Sequence, residues 1–83
     1  MRKHGARCKS DDSYLSRISS LEECANVCRN KEDCNFFVYG YDDENGQCYQ
    51  QLTNSSACTE GWEYASYHFY ELLGKLCNIL ESI

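Results

Sequence analysis

Cysteine is the chemically reactive residue that this chain carries in excess. Seven cysteines occur among 83 residues. A structural zinc site usually takes repeated cysteine pairs spaced two to four residues apart, whereas Cys24 and Cys28 form the only such pair here. The irregular spacing favours disulfides over a metal site, and it predicts neither metal nor cofactor. Disulfides at this density indicate a secreted or extracellular protein.

Catalytic chemistry is not predicted from the remaining polar residues. A nucleophilic cysteine needs a base close by. His4 lies near the start of the chain and His68 lies in an aromatic run, where a packing or surface role is expected. The acidic run before Gly46 fails the calcium-hand pattern, because that alignment places Tyr41 at the first ligand position and Leu52 at the last. We therefore predict that the chain has no catalytic residue and that the protein is not an enzyme.

A helix is predicted to hold two of the cysteines. Ser20 and Glu23 have the spacing of a capping box, so the helix should begin there and run to about Asn30. Cys24 and Cys28 then lie on one face, with Cβ atoms about 5–6 Å apart, whereas a disulfide needs about 3.5–4.5 Å. Each should therefore bond to a cysteine elsewhere in the chain.

A β-hairpin is predicted after the helix. The aromatic run 36–41 favours a strand, and Asn45 and Gly46 both tolerate the positive φ of a type I′ turn. That turn pairs Tyr39 with residue 52 and Tyr41 with residue 50. It places Cys48 and Leu52 on the face that meets the helix. Two disulfides follow from this arrangement, Cys28 with Cys34 and Cys24 with Cys48.

This combination of features resembles the PAN/apple domain family. The similar features are the Ser-x-x-Glu-Cys-x-x-x-Cys helix, the next cysteine, the Phe37-x-Tyr39 strand and the returning cysteine, within a match of about residues 8–72. Such modules occur in plasma prekallikrein, coagulation factor XI and hepatocyte growth factor, and the chain is most similar to the apple modules of apicomplexan microneme adhesins. The resemblance implies an α+β fold, in which one helix is cradled by an antiparallel sheet of about five strands.

The third disulfide is left open between two pairings. In apple domains of the factor XI type the first and last cysteines are joined, which implies Cys8 with Cys77. Cys77 lies farther beyond the last strand than that pattern expects, so Cys8 with Cys58 is the alternative. We favour Cys8 with Cys77, which leaves Cys58 as an odd cysteine that bridges chains or marks a boundary.

The boundaries of the module are predicted from composition. Residues 8–77 form the PAN/apple-like module, residues 1–7 form a flexible lead-in, and residues 78–83 form a tail or a linker to a following domain. One short edge strand is expected within 10–20, and a central strand is expected at 63–70. Apolar residues at helical spacing after Leu72 suggest an amphipathic helix or a linker. The first residues lack the apolar run of a signal peptide, which predicts one unit of a longer secreted protein.

Charge and hydropathy exclude several kinds of partner. The net charge is −5, which repels nucleic acids and heparin-like polyanions at long range. The basic cluster of Arg2, Lys3, Arg7 and Lys9 is expected to fray with the terminus. No stretch approaches the roughly 20 apolar residues of a membrane span, so no membrane insertion is predicted.

Surface recognition is the function that these features predict. Eleven aromatic residues exceed what one small core can bury, and exposed aromatics anchor protein interfaces and stack on sugars. The candidate binding residues are Trp62, Tyr64, Tyr49 and Phe36, and Asn54 is a glycosylation candidate. We predict a non-catalytic adhesion module, secreted through an organelle such as the microneme, that binds a cell-surface protein or glycan in host-cell attachment. The alternatives are a galactose-type lectin and a spacer in a tandem apple array, with neighbouring modules or partner adhesins as contacts.

Overall fold

The computed structural model describes residues 2–73 and 79–81. In chain order its elements are β1 (Arg2–Lys3), β2 (Ala6–Cys8), β3 (Asp12–Arg17), α1 (Leu21–Arg29), β4 (Phe36–Gly40), a short 3-10 helix (Asp42–Glu44), β5 (Gln47–Gln51), β6 (Trp62–Tyr64), β7 (Tyr67–Leu73) and β8 (Ile79–Glu81). The main antiparallel sheet has the order β1-β7-β4-β5-β3, and β8 adds to β7. A second sheet pairs β2 with β6. The predicted α+β module, with one helix and an antiparallel sheet, is confirmed.

The helix begins at the predicted cap. The Ser20 hydroxyl accepts the backbone N–H of Glu23 at 3.1 Å, which satisfies one of the free amides of the first turn. The Glu23 carboxylate does not complete a capping box, because it accepts the Ser19 hydroxyl at 3.2 Å. Cys24, Ala25 and Cys28 form the buried face of α1, so the helix packs on the sheet through small residues and sulfur.

The main sheet has a hydrophobic cluster on each of its two faces. Side chains alternate along β4, so Phe37 joins the helix-side cluster, whereas Phe36 and Val38 join the opposite cluster. The same alternation along β7 places Tyr70 on the helix side and Phe69 on the opposite side. The β2–β6 sheet contributes Cys8 and Trp62 to the opposite cluster. The domain is therefore layered, with α1 on one face and the β2–β6 sheet on the other.

The hairpin between β4 and β5 differs from its predicted form. Tyr39 opposes Cys48 rather than residue 52, and the chain reverses through the 3-10 helix. Asn45 has φ −53° and ψ 129° and Gly46 has φ 89°, which is the type II pattern instead of type I′. The strands end early because the acidic residues Asp42–Glu44 disfavour a strand and form the 3-10 helix instead. Gly40 allows this helix to fold back on β4, since a Cβ at Gly40 would collide with the carbonyl of Glu44.

Three disulfides are present among the described residues. Cys24 bonds to Cys48 and Cys28 bonds to Cys34, the two pairs derived from the helix and the hairpin. For the third disulfide the favoured pairing was wrong and the alternative is observed, because Cys8 bonds to Cys58, with Cα atoms 5.8 Å apart. The favoured partner of Cys8, Cys77, lies outside the described residues. Cys58 is therefore not the odd cysteine, since it closes the loop that delivers β6 next to β2.

Both ends of the chain differ from their predicted form. Within the predicted lead-in, residues 2–3 form β1 and residues 6–7 belong to β2, because β7 and β6 offer them unpaired edges. The expected edge strand is β3, and the expected central strand is β7. Ile79–Glu81 is a strand on β7 and not a helix, while the rest of the tail lies outside the described part. Leu80 opposes Leu72 and Arg2 opposes Tyr70, so β8 and β1 follow one another along the same edge.

Candidate recognition surface

Strand β6 carries the aromatic residue that is most exposed among the described large hydrophobics. The side chain of Tyr64 is 91% exposed, whereas Trp62, two residues earlier, is half-buried. The Trp62 ring meets Phe69 edge to face, with centroids 4.9 Å apart. Trp62 therefore contacts the core with one edge and forms part of the surface with the rest. We call Lys3, Trp62 and Tyr64 the β6 surface.

Lys3 and Lys9, which the sequence predicts to fray with the terminus, lie at or next to this surface. The Lys3 ammonium lies 5.3 Å from the centroid of the Trp62 ring, within the range of a cation–π contact. Lys9 donates its backbone N–H to the carbonyl of Gly61 at 2.9 Å, directly before Trp62. Composition could not reveal this arrangement, because it depends on β1 pairing with β7 and β2 pairing with β6.

Arg7 connects the β6 surface to the rest of the domain. Its guanidinium pairs with Asp12 of β3, lies 4.0 Å from the carboxylate of Glu63 and stands 5.8 Å from the centroid of the Tyr67 ring. Two carboxylates and one aromatic ring thus neutralise and cover this charge. Arg7 is better placed to hold β3, β6 and β7 to its own strand, β2, than to bind a ligand.

Two of the predicted binding residues, Phe36 and Tyr49, are less exposed than predicted. Phe36 is only 7% exposed and stacks on Phe69, with centroids 5.7 Å apart, so its prediction as a binding residue is wrong. Its strand runs through the middle of the sheet, where both faces are covered. Tyr49 is half-buried between Tyr14 and Tyr67, at centroid distances of 5.1 and 6.0 Å. Phe36, Tyr49 and Trp62 thus all take part in the cluster opposite the helix, and Tyr64 is the one of the four that lies outside it, on the same strand as Trp62.

Asn54 lies in the loop between β5 and β6, and its side chain is exposed. The loop is held by the Thr53 hydroxyl, which donates to the Glu60 carboxylate at 2.8 Å, and by the disulfide at Cys58. An asparagine on an anchored surface loop is accessible to a glycosyltransferase. Glycosylation of Asn54 stays a prediction.

A histidine cluster that the sequence did not indicate lies at the turn between β1 and β2. The rings of His4 and His68 meet edge to face, with centroids 4.8 Å apart. Tyr41 stacks on His68 at a centroid distance of 4.4 Å, and His68 Nδ1 accepts the backbone N–H of Gly5 at 3.0 Å. The two histidines are 64 positions apart, so only the pairing of β1 with β7 brings them together.

Two other features of the described residues have the appearance of sites. Cys8, Cys58 and Glu60 bring possible metal-ligating atoms within 4.8 Å of one another, but both sulfurs belong to one disulfide and carry no thiolate. An open groove of about 710 Å³ lies between the end of β3 and α1, lined among others by Arg17, Ile18 and Glu23. Within this groove the Ser19 hydroxyl donates to the Glu23 carboxylate at 3.2 Å, and no histidine is among the described residues that line it.

The comparison with protein families identifies the fold family. The model of the PAN domain matches residues 2–71. The chain belongs to the PAN domain family. Neither a curated protein nor a solved structure matches the chain.

Family membership defines the general kind of function. PAN domains are protein- or carbohydrate-binding modules that are generally non-catalytic. A PAN domain with three disulfides fits an extracellular or secreted setting, where such bonds persist. Among the described residues, no helix is long and apolar enough to cross a bilayer.

Proposed function

We propose that this PAN domain is a non-catalytic adhesion module of a secreted multidomain protein, and that it binds a cell-surface protein or glycan through the β6 surface. The observation that carries the proposal is the 91% exposure of Tyr64 on a strand that is anchored by a disulfide and by pairing to β2. A large aromatic side chain on a rigid support loses little conformational entropy on binding. Such residues dominate the energetics of interfaces.

The charge of the β6 surface suggests a partner that is not a polyanion. Lys3 is placed over Trp62, and Arg7 is neutralised by Asp12. The whole chain carries −5, so long-range attraction of a polyanion is absent. Attachment should therefore depend weakly on salt, and heparin should not compete with it.

The biological setting that we propose is attachment to a host cell. The support is the similarity of the cysteine and aromatic pattern to the apple modules of apicomplexan microneme adhesins. In that setting the partners are host glycoproteins or glycans, together with neighbouring modules or partner adhesins. A galactose-type lectin activity is the narrower form of the same proposal, since aromatic rings also stack on sugar faces.

The proposal is tested with three variants in a cell-binding assay. Tyr64→Ala removes the exposed ring, and Lys3→Met removes the charge beside Trp62 but keeps an apolar stem. Tyr14→Ala is the control outside the β6 surface, and its melting temperature is measured too, because the Tyr14 ring also contacts Tyr49. We expect Tyr64→Ala to weaken attachment at least about 5-fold, which corresponds to about 1 kcal/mol, while its melting temperature stays that of wild type. Trp62→Ala is unsuitable as a test, because it also removes the contact with Phe69.

A glycan array run with the same proteins separates the two forms of the proposal. Binding to galactose-terminated glycans that Tyr64→Ala loses would support the lectin form, and cell binding without glycan binding would support a protein partner. Equal loss in Tyr14→Ala and Tyr64→Ala, or unchanged binding by Tyr64→Ala, would show that the β6 surface is not the binding site.

A further inference from the structure

The turn between β1 and β2 is fastened to β7 through an imidazole nitrogen. His68 Nδ1 accepts the backbone N–H of Gly5 at 3.0 Å. A nitrogen that accepts a hydrogen bond carries no proton, so the neutral ring of His68 holds its proton on Nε2. Protonation of Nδ1 would convert this acceptor into a donor that faces another donor. The contact between Gly5 and His68 therefore exists only while His68 is neutral.

The surroundings of His68 determine how easily it is protonated. On the β1 side it meets the edge of His4, whose ring centroid is 4.8 Å away, so two imidazolium ions would repel each other. On the β4 side it is stacked by Tyr41 at 4.4 Å and opposed in register by Tyr39. The face of the Tyr41 ring would attract an imidazolium and so acts against the repulsion from His4. His4, Tyr39 and Tyr41 are therefore titratable groups that face His68 from the neighbouring segments.

The same turn carries one part of the β6 surface. Gly5 is two residues after Lys3, whose ammonium lies 5.3 Å from the centroid of the Trp62 ring. Strand β1 has only two residues, so the hydrogen bond from Gly5 is a substantial part of what holds this segment. The carbonyl of Gly5 also accepts the backbone N–H of Ala65 at 3.2 Å, one residue after Tyr64. Release of Gly5 would therefore disturb both sides of the β6 surface.

We propose that His4, Gly5 and His68 form a pH-sensitive latch that holds the amino-terminal segment against β7 at neutral pH and releases it in mildly acidic surroundings. The consequence for binding rests on the proposed function, because release moves Lys3 away from Trp62 and loosens the β6 surface. The module then binds at neutral pH and is weakened at the acidity of a secretory or endocytic compartment.

The latch can be measured without any ligand, because Trp62 is the single tryptophan of the chain. Trp62 fluorescence, excited selectively, should change in one step between pH 8 and 5, with a midpoint within about one unit of 6.5, the ordinary pKa of histidine. His68→Asn places an amide oxygen near the position of Nδ1, which keeps an acceptor and removes the titration. This variant should be flat across the range, whereas His4→Asn should still titrate.

A flat wild-type titration, or a step of equal size in His68→Asn, would overturn the proposal. Nitrogen NMR of the wild-type protein gives a second answer that needs no variant, because it reports the tautomer of each histidine. A neutral His68 that carries its proton on Nδ1 would also overturn it. Since neither measurement uses a binding partner, failure of the latch is distinguishable from failure of the β6 surface as a binding site.

Discussion

Tyr67 shows how one side chain takes its properties from three elements. The residue begins β7, and its hydroxyl donates to the carboxylate of Glu44 in the 3-10 helix at 3.2 Å. Burial, followed by the negative charge and the hydrogen bond of Glu44, raises the pKa of Tyr67 to about 12, against a smaller opposite effect of Arg7. The neutral phenol is thus the form that the fold prefers.

This preference predicts a late step in an alkaline titration. The phenol has a pKa near 10 in the unfolded chain and about 12 in the fold, so its stabilising effect is complete below pH 10 and is lost as the pH rises from 10 to 12. Absorbance at 295 nm, recorded within seconds of a pH jump, should show one tyrosine that titrates near pH 12. Tyr67→Phe should remove that step, and Glu44→Gln should move it to lower pH. A late step that survives in Tyr67→Phe, with Tyr64→Phe as the control, would contradict the assignment.

Trp62 and Tyr64 lie two residues apart on β6 but differ in how far they are buried. From composition both are surplus aromatic residues and equal candidates for binding. In the structure Trp62 contacts Phe69 and Lys3, whereas Tyr64 is 91% exposed. Truncation of Trp62 therefore combines a loss of packing with a loss of surface, and Tyr64 is the residue whose replacement tests the proposed binding.

At the scale of elements, the β4–β5 hairpin explains how a wrong register still led to a correct disulfide. The predicted partner of Tyr39 was residue 52, and the observed partner is Cys48. The two registers differ by an even number of residues, and side chains alternate with a period of two, so Cys48 keeps its face. It therefore still meets Cys24. Leu52 lies beyond the end of β5 and is 46% exposed, so its predicted place on the helix-facing side is wrong.

The turn at Asn45 and Gly46 offers a matched pair of substitutions. In the observed type II turn only Gly46 has positive φ, at 89°, and a Cβ there would lie 3.1 Å from the carbonyl oxygen of Ile18. Gly46→Ala should lower the free energy of unfolding by about 1–2 kcal/mol. Asn45→Ala should change it by less than about 0.5 kcal/mol, because the φ of Asn45 is −53°. Urea denaturation measures both. Equal losses at the two positions would point to the type I′ turn instead.

At the scale of the whole molecule, each covering layer has its own covalent link. The helix is bonded to the main sheet by Cys24 and Cys48, and the β2–β6 side is closed by Cys8 and Cys58. A chain of 83 residues buries too little surface to be secure without such links. Cysteine arithmetic then leaves Cys77, because the other six are already paired.

Peptide mapping under non-reducing conditions tests this arrangement. The peptide that contains Cys8 should be joined to the peptide that contains Cys58, and Cys77 should take up an alkylating reagent or form a disulfide between chains. Cys77→Ser should abolish both the labelling and any covalent dimer, and its melting temperature should stay close to that of wild type. Recovery of a peptide that joins Cys8 to Cys77 would restore the family-based pairing and make Cys58 the odd cysteine.

The sequence by itself determined the parts of this protein that depend on local patterns. The helix cap at Ser20, the strand at 36–40 and two disulfides follow from spacings of a few residues, and the family resemblance follows from the same stretch. Capping, strand propensity and side-chain alternation act over short distances, so they can be recognised without the fold.

Only the tertiary structure decided which distant segments meet. The pairing of Cys8 with Cys58, the placement of Lys3 over Trp62 and the contact of His4 with His68 all depend on two short strands that pair with β6 and β7. A strand of two or three residues has no periodic signature of its own, because it forms only where a partner edge is unpaired. For this reason residues 2–8 have the composition of a loose terminus, although in the fold they complete the β6 surface and the latch.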